Sequence, residues 1–128
     1  MTVILDTNAV SALARKDTRL IDALEPAVRL AVTLITLAEL TDGLRRSRQQ
    51  RELDAWLREQ LLSRVEILFP DLTTIEHYAD IRLELKDAGA PIPANDVWIA
   101  ALCRQHDLPL LSLDGHFDRV SGLTRVRW

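Results

Sequence analysis

Four acidic residues lie at positions where α/β proteins commonly form functional sites. Asp6 directly follows a short apolar segment, and Glu39 lies one helical turn beyond a second. Asp96 opens an apolar helix, and Asp114 directly follows another apolar segment. Taken singly, each acid is more simply explained as a helix cap that favours the helix dipole. Ligands bind at the carboxyl edge of an open parallel sheet, so four acids converging there predict a functional site.

Such a cluster would call for a cation. Carboxylates brought close together raise one another's pKa, and in a low dielectric they need a positive partner. Oxygen ligands with no cysteine or histidine among them favour Mg²⁺ or Mn²⁺ over zinc. Magnesium keeps several waters and binds phosphate oxygens. The predicted chemistry is therefore metal-assisted hydrolysis of a phosphodiester.

The elements that position these acids alternate along the chain. Short apolar runs predict strands at 3–5, 31–35, 65–69 and 110–113, and alternation at 124–128 predicts an edge strand. Apolar residues at helical spacing predict helices over 8–13, 20–24, 37–45 and 48–63, a long helix after residue 71, and a buried helix around 97–103. Strands separated by helices predict a single α/β domain. Its central sheet of four to five mainly parallel strands has helices on both faces.

Cap residues set the predicted helix bounds. We expect Thr36 to begin the helix over 37–45, Asn95 to begin the buried helix, and either Asp71 or Thr73 to begin the long one. Gly89 is expected to end that long helix. Its predicted apolar stripe consists of Ile75, Tyr78, Ile81, Leu85 and Ala88.

Composition excludes several protein classes. The chain has 128 residues, of which 48% are hydrophobic and 27% charged, so disordered and fibrous classes are excluded. A single cysteine allows neither an internal disulfide nor a multi-cysteine zinc site. No apolar run is long enough to span a membrane, no signal peptide is recognisable, and we expect a cytoplasmic protein. The net charge of −3 weighs against nucleic-acid binding, but four acids assigned to a cation site leave one net positive charge.

Four motifs carry a family resemblance. The segments 3–8, 36–40 with Gly43, 95–101, and 111–114 with Phe117 resemble, in order and spacing, the four motifs of PIN-domain ribonucleases. More closely, the chain resembles the VapC toxins of bacterial and archaeal toxin–antitoxin pairs. The resemblance covers residues 1–128 and implies one PIN domain. It also implies a metal-dependent endoribonuclease that a cognate VapB-like antitoxin neutralises and that pairs as a homodimer.

The resemblance also implies roles for individual residues. The four acids would be both catalytic and metal-binding, holding one or two Mg²⁺ or Mn²⁺ ions, and the polar residues expected to support them are Thr7, Asn8 and Ser112. A groove among the N-terminal helices would receive an amphipathic antitoxin helix. The large apolar residues of the predicted helix over 48–63, namely Leu53, Trp56, Leu57 and Leu61, are expected to face the core, but they are more numerous than a small domain needs and also suit such a contact.

Basic residues suggest where substrate binds. Arginines cluster at positions 45, 46, 48, 51, 58 and 64, and their fork-shaped side chains suit phosphate. A solvated helix with ion pairs explains the cluster equally well. We assign Arg45, Arg46 and His116 as candidate RNA contacts, while a solvated loop histidine is the simpler explanation of His116. For Gly43 we expect either a close backbone approach or a packing reason, and Asp118 is expected to be a surface acid.

Three other functions fit parts of the sequence. A housekeeping PIN nuclease in RNA processing or decay would use the same acids. A catalytically silent binding module would not need all four. A phosphorylatable receiver domain also has an aspartate at the end of a strand, but it needs a lysine after a strand. Lys16 and Lys86 are the only lysines, and neither follows one.

Overall fold

The fold is built on a parallel sheet. The computed structural model describes residues 1–24, 28–47 and 51–128. Its strands are β1 (Thr2–Leu5), β2 (Arg29–Thr33), β3 (Glu66–Leu68), β4 (Leu110–Leu111) and β5 (Arg125–Val126). They lie in the order β3-β2-β1-β4-β5, and every neighbouring pair is parallel. The predicted α/β fold is confirmed, with β5 at an edge and β1 in the centre.

Helices connect the strands. They are α1 (Thr7–Ala14), α2 (Thr18–Ala23), α3 (Leu34–Arg46), α4 (Arg51–Trp56), α5 (Leu72–Asp87) and α6 (Ala94–His106). A π-helical turn at Leu57–Leu61 continues α4, and a 3₁₀ helix at Gly115–Arg119 follows β4. Among the residues described, no helix is both long and apolar enough to cross a bilayer. The expected helix ends near Pro26 and at residues 48–50 lie outside the described residues.

The alternation of side chains along β1 divides the core into two layers. Ile4 packs into a cluster with Ile81 of α5 and with the apolar residues of α6, including the buried Cys103. Val3 and Leu5 point to the other face, where they pack with residues of α1, α2, α3 and the π-helical turn. This two-sided burial explains why β1 is continuously apolar, as strands of covered parallel sheets are. It also confirms the prediction of helices on both faces.

Two predicted helix caps are wrong. Thr33, not Thr36, is the N-cap of α3: its Oγ1 accepts a hydrogen bond from the Thr36 N–H at 3.1 Å. Strand β2 therefore ends two residues earlier than predicted. Helix α6 begins at Ala94 after Pro93, whose fixed φ suits a helix start, so Asn95 lies inside the first turn. Asp71 caps α5 as predicted.

The apolar stripe of α5 differs in part from the prediction. Ile81 and Leu85 are buried and Tyr78 packs against the core, but Ile75 is 48% exposed and Ala88 is exposed.

Gly43 of α3 fits neither of the two explanations predicted for it. A Cβ built on Gly43 meets nothing within 4 Å, so neither a close backbone approach nor tight packing requires glycine there.

Candidate active site

Asp6 lies at the carboxyl end of the central strand and also begins α1. Its Oδ1 accepts a hydrogen bond from the Thr7 N–H at 2.8 Å, which caps the helix. The residue is only 6% exposed. Burial is the main cause that raises the pKa of Asp6, and the Asp114 carboxylate raises it further, while hydrogen bonds from Ser112 and Thr7 lower it.

Ser112 joins two of the acids. Its hydroxyl is fully buried, donates to Asp6 Oδ2 at 2.7 Å and accepts the Asp114 N–H at 3.0 Å. Asn8 adds a second link between the same segments, because its Oδ1 accepts the Leu113 N–H at 3.2 Å. The segment after β4 is thus held against the start of α1 by side chains that sequence analysis assigned to support.

Asp96, Asp114 and His116 form the tightest group of possible metal ligands among the described residues. One ligand atom from each lies within 4.8 Å of the other two. Asp96 comes from the first turn of α6, and Asp114 caps the 3₁₀ helix by accepting the His116 N–H at 2.9 Å. The His116 Nδ1 lies 3.2 Å from Asp96 Oδ2 and 3.3 Å from Asp114 Oδ1.

Glu39 reaches the same region from α3. Burial raises its pKa most, and the carboxylates of Asp6 and Asp96 raise it further, whereas the side chains of Asn95 and Thr7 lower it. The pKa of Asp96 is likewise raised by burial first and then by Asp114 and Asp6, against the opposing contact with His116. The acids therefore influence one another electrostatically, and the contact with His116 opposes only part of this effect at Asp96.

The remaining candidate residues lie apart from this group. Arg45 and Arg46 end α3, six and seven residues beyond Glu39, which is about 10 Å along a helix axis. Arg46 pairs with Asp42 at 2.9 Å on the surface. Asp118 pairs with Arg125 at 2.6 Å, which lowers the pKa of Asp118 and keeps it outside the acidic cluster. Arg48 lies outside the described residues.

Sequence analysis missed Arg125. Its side chain is only 8% exposed and donates from one terminal nitrogen to the Ser112 carbonyl at 3.1 Å, while its other nitrogens bind the Asp118 carboxylate. The guanidinium therefore ties the edge strand to the segment that carries Ser112 and Asp114. The alternation over 124–128 gave no signal for this contact, because it assigns Arg125 and Arg127 alike to the polar positions of the edge strand.

Comparisons with known proteins agree with this arrangement. The PIN domain family model matches residues 3–123. Ribonuclease VapC1 of Haemophilus influenzae strain R2866 is 32% identical over 132 residues, which covers 100% of this chain and 96% of that protein. The chain belongs to the VapC group of PIN domains. The resemblance seen in the four motifs is confirmed.

Solved structures share the whole PIN fold. VapBC2 from Rickettsia felis, bound to a DNA fragment from its promoter, contains a chain that is 27% identical with a TM-score of 0.87, covering 100% of this chain and 99% of that one. VapBC-1 from nontypeable Haemophilus influenzae contains a chain that is 30% identical with a TM-score of 0.82, covering 100% and 98%.

Proposed function

We propose that this PIN domain is an endoribonuclease toxin whose active site comprises Asp6, Glu39, Asp96 and Asp114. The observation that carries the proposal is the convergence of these acids at the carboxyl edge of the sheet. Relatives named as VapC ribonucleases favour RNA as the substrate. Neighbours solved as VapBC complexes favour a toxin over a housekeeping nuclease or a silent binding module.

PIN nucleases depend on a divalent metal, and the donor set fits one. Burial raises the pKa of Asp6, Glu39 and Asp96, so a bound cation would relieve a charge imbalance within the fold itself. Carboxylate oxygens suit one or two Mg²⁺ or Mn²⁺ ions. When bound, the metal would lower the pKa of a water and neutralise charge on the phosphoryl group.

The protein's own part is to hold these carboxylates in place. Ser112 fixes Asp6 relative to Asp114, and the Thr7 N–H orients the other oxygen of Asp6. The site lies at the surface, since the Asp114 side chain is 35% exposed and can meet a single strand of RNA. Arg45 and Arg46 lie six and seven residues beyond Glu39 on α3, and we propose that they contact the phosphate of a neighbouring nucleotide.

Cleavage of single-stranded RNA by the purified chain tests the catalytic assignment. We expect cleavage with Mg²⁺ or Mn²⁺ and none with a chelator. Activity should fall at least 100-fold in Asp96→Asn, because replacing a residue that only hydrogen-bonds to a metal ligand already costs roughly 10- to 100-fold in metal affinity or activity. Asp22→Asn, on the exposed side of α2 and outside the proposed interfaces, is the matched control and should keep full activity. Full Mg²⁺-dependent cleavage by Asp6→Asn or Asp96→Asn would contradict the assignment.

Growth of bacteria tests the toxin role. Expression of the chain alone should arrest growth, and sequencing of RNA 5′ ends should show one dominant cut that disappears in Asp96→Asn. Co-expression of the cognate antitoxin should restore growth. Growth arrest without any Asp96-dependent cut would refute the proposal, because it would separate toxicity from this site.

We place the antitoxin on the outer face of α3. An open cavity of about 530 Å³ there is lined by Leu34, Leu37, Ala38 and Thr41, with Asp42 and Arg45 beside it. These residues share one face of α3, which suits an amphipathic helix packed against it. Leu57 and Leu61 of the π-helical turn are buried in the core, as predicted, and are not available to such a helix. Ala38→Arg should abolish neutralisation by the antitoxin while RNA cleavage continues.

A homodimer would use the outer face of α5. Leu72, Ile75, Ala79 and Leu83 form an exposed stripe opposite the buried Ile81 and Leu85. Acidic residues flank one side of the stripe, and Arg82 and Lys86 lie toward the other. If the two-fold axis of the dimer runs parallel to α5, the two copies of α5 pack side by side in the same direction. The acidic flank of each copy then faces the basic flank of the other. Ala79→Arg should give a monomer in light scattering, and Ala38→Arg should remain dimeric.

A further inference from the structure

His116 occupies the position between two proposed metal ligands. Its Nδ1 lies 3.2 Å from Asp96 Oδ2 and 3.3 Å from Asp114 Oδ1. The 3₁₀ helix fixes this placement, because the His116 N–H also donates to Asp114 Oδ1 at 2.9 Å. The side chain is 42% exposed, so it borders the solvent side of the group. Sequence analysis offered only a phosphate contact or a solvated loop for this residue.

The two distances from Nδ1, one of which is a hydrogen bond to Asp96, are close to those between adjacent ligands of one ion. Adjacent ligands of an octahedral ion with bonds of about 2.1 Å are about 3 Å apart, close to the two distances from Nδ1. The three ligand atoms also lie within 4.8 Å of one another. The His116 imidazole contacts Asp96 and Asp114, which are both proposed metal ligands. A cation bound between these carboxylates would therefore also lie close to the imidazole nitrogen.

We propose that His116 is a nitrogen ligand of the metal site and makes that site prefer Mn²⁺ to Mg²⁺. The inference rests on the proposed function of this site. Imidazole suits transition metals, whereas Mg²⁺ prefers carboxylate, carbonyl and water oxygen. Mn²⁺ also prefers oxygen ligands, but as a transition metal it binds imidazole more readily than Mg²⁺ does. A site that includes two carboxylates and one imidazole therefore favours Mn²⁺ over Mg²⁺ more than a site of four carboxylates would.

Pulsed electron paramagnetic resonance on the full chain with Mn²⁺ tests the nitrogen contact directly. A coordinated imidazole nitrogen modulates the electron spin echo of bound Mn²⁺, which a residue with a purely structural role does not do. We expect this modulation in the wild type and in His106→Asn, whose exposed imidazole ends α6. We expect its loss in His116→Ala. Mn²⁺ affinity, measured by calorimetry, should fall at least about tenfold in that variant.

His116→Asp keeps a ligand but replaces nitrogen with oxygen. We expect this variant to bind metal, to lack nitrogen modulation, and to shift the ratio of Mg²⁺ to Mn²⁺ affinity toward Mg²⁺ by about tenfold. Asp96→Asn serves as the reference for the site itself and should weaken Mn²⁺ binding in every background.

The outcomes separate the two proposals. Mn²⁺ that binds in an Asp96-dependent way without nitrogen modulation, or with modulation that persists in His116→Ala, overturns the role of His116 and leaves the proposed function standing. An unchanged metal preference in His116→Asp also overturns it. Mn²⁺ that fails to bind, or that binds equally well to Asp96→Asn, overturns the metal site on which both proposals rest.

Discussion

Replacing Asp96 with asparagine should stabilise the protein when no metal is present. The fold raises the pKa of Asp96, first by burial and then by the charges of Asp114 and Asp6. The folded state therefore disfavours the ionised carboxylate relative to the unfolded chain. Asparagine has nearly the same shape as aspartate and no charge. The variant therefore loses the free-energy cost of holding an ionised carboxylate at this position, and it also loses the metal site.

The magnitude follows from the separation of the charges. Ligand atoms of Asp96 and Asp114 lie within 4.8 Å of each other. At that distance two unit charges repel by about 0.9 kcal/mol in bulk water and by about 3.5 kcal/mol at an effective dielectric constant of 20. The Asp96 side chain is 14% exposed and that of Asp114 is 35% exposed. Because His116 offsets part of the repulsion, we expect a net gain of about 1–2 kcal/mol.

Thermal and urea unfolding in a chelator at low salt would measure this gain. The melting temperature of Asp96→Asn should exceed that of the wild type by about 3–10 °C. The difference should also depend on pH. Since the pKa of Asp96 is higher in the folded state than in the unfolded state, its contribution to wild-type stability is fully present below its unfolded pKa and is lost as the pH rises through its folded pKa. The stability of Asp96→Asn relative to the wild type should therefore increase over this pH range.

A matched acid distinguishes this effect from a general loss of negative charge. Arg125 lowers the pKa of Asp118, so Asp118→Asn should destabilise the protein at neutral pH rather than stabilise it. Added Mn²⁺ should stabilise the wild type by mass action and should leave Asp96→Asn almost unchanged. The reasoning is refuted if metal-free Asp96→Asn is no more stable than the wild type at neutral pH.

Three further changes test local features. Ser112→Ala should cost about 1.5–3 kcal/mol in urea unfolding, because it leaves a buried carboxylate oxygen of Asp6 without its donor, and RNA cleavage should fall as well. An unaltered unfolding midpoint would show that the bond is dispensable. Gly43→Ala should raise the free energy of unfolding by about 1 kcal/mol, since α3 offers open space for the methyl group. Destabilisation would mean that the position is crowded. Thr33→Ala should lower that free energy by about 1 kcal/mol through loss of the α3 cap, whereas no change would reassign the cap to another residue.

Periodicity predicted the strands and helices because burial on both faces of the sheet leaves a clear pattern. It placed helix starts less well. Thr33 and Thr36 are both good cap residues, and the hydrogen bond between their hydroxyls, at 3.2 Å, makes them a buried pair in which the earlier one caps. Only the three-dimensional end of β2 decides between them. Ile75 fits an apolar stripe by spacing, yet it faces outward because burial depends on neighbouring elements as well as on period.

Asp6, Asp96 and Asp114 were predictable as a group because each lies at a strand end or a helix start, and topology carries such positions to one edge. Glu39 lies within α3, about one helical turn beyond the end of β2, and faces the same edge. The contacts of His116 were not predictable, because they depend on how closely the 3₁₀ helix approaches the first turn of α6. Arg125 was missed for the same reason. Its partners lie 7 and 13 residues away and meet it only once β5 pairs with β4.

The central place of β1 has a consequence for the timing of synthesis. Asp6 is made first, but its buried partner Ser112 lies 106 residues later in the chain. The site therefore cannot assemble on a ribosome until β4 and the segment after it have emerged, because β1 lacks one of its neighbours until then. A nascent chain without this segment lacks Asp114 and the Ser112 hydroxyl that holds Asp6. We therefore expect RNA cleavage to require the segment that follows β4, however much of the domain has already folded.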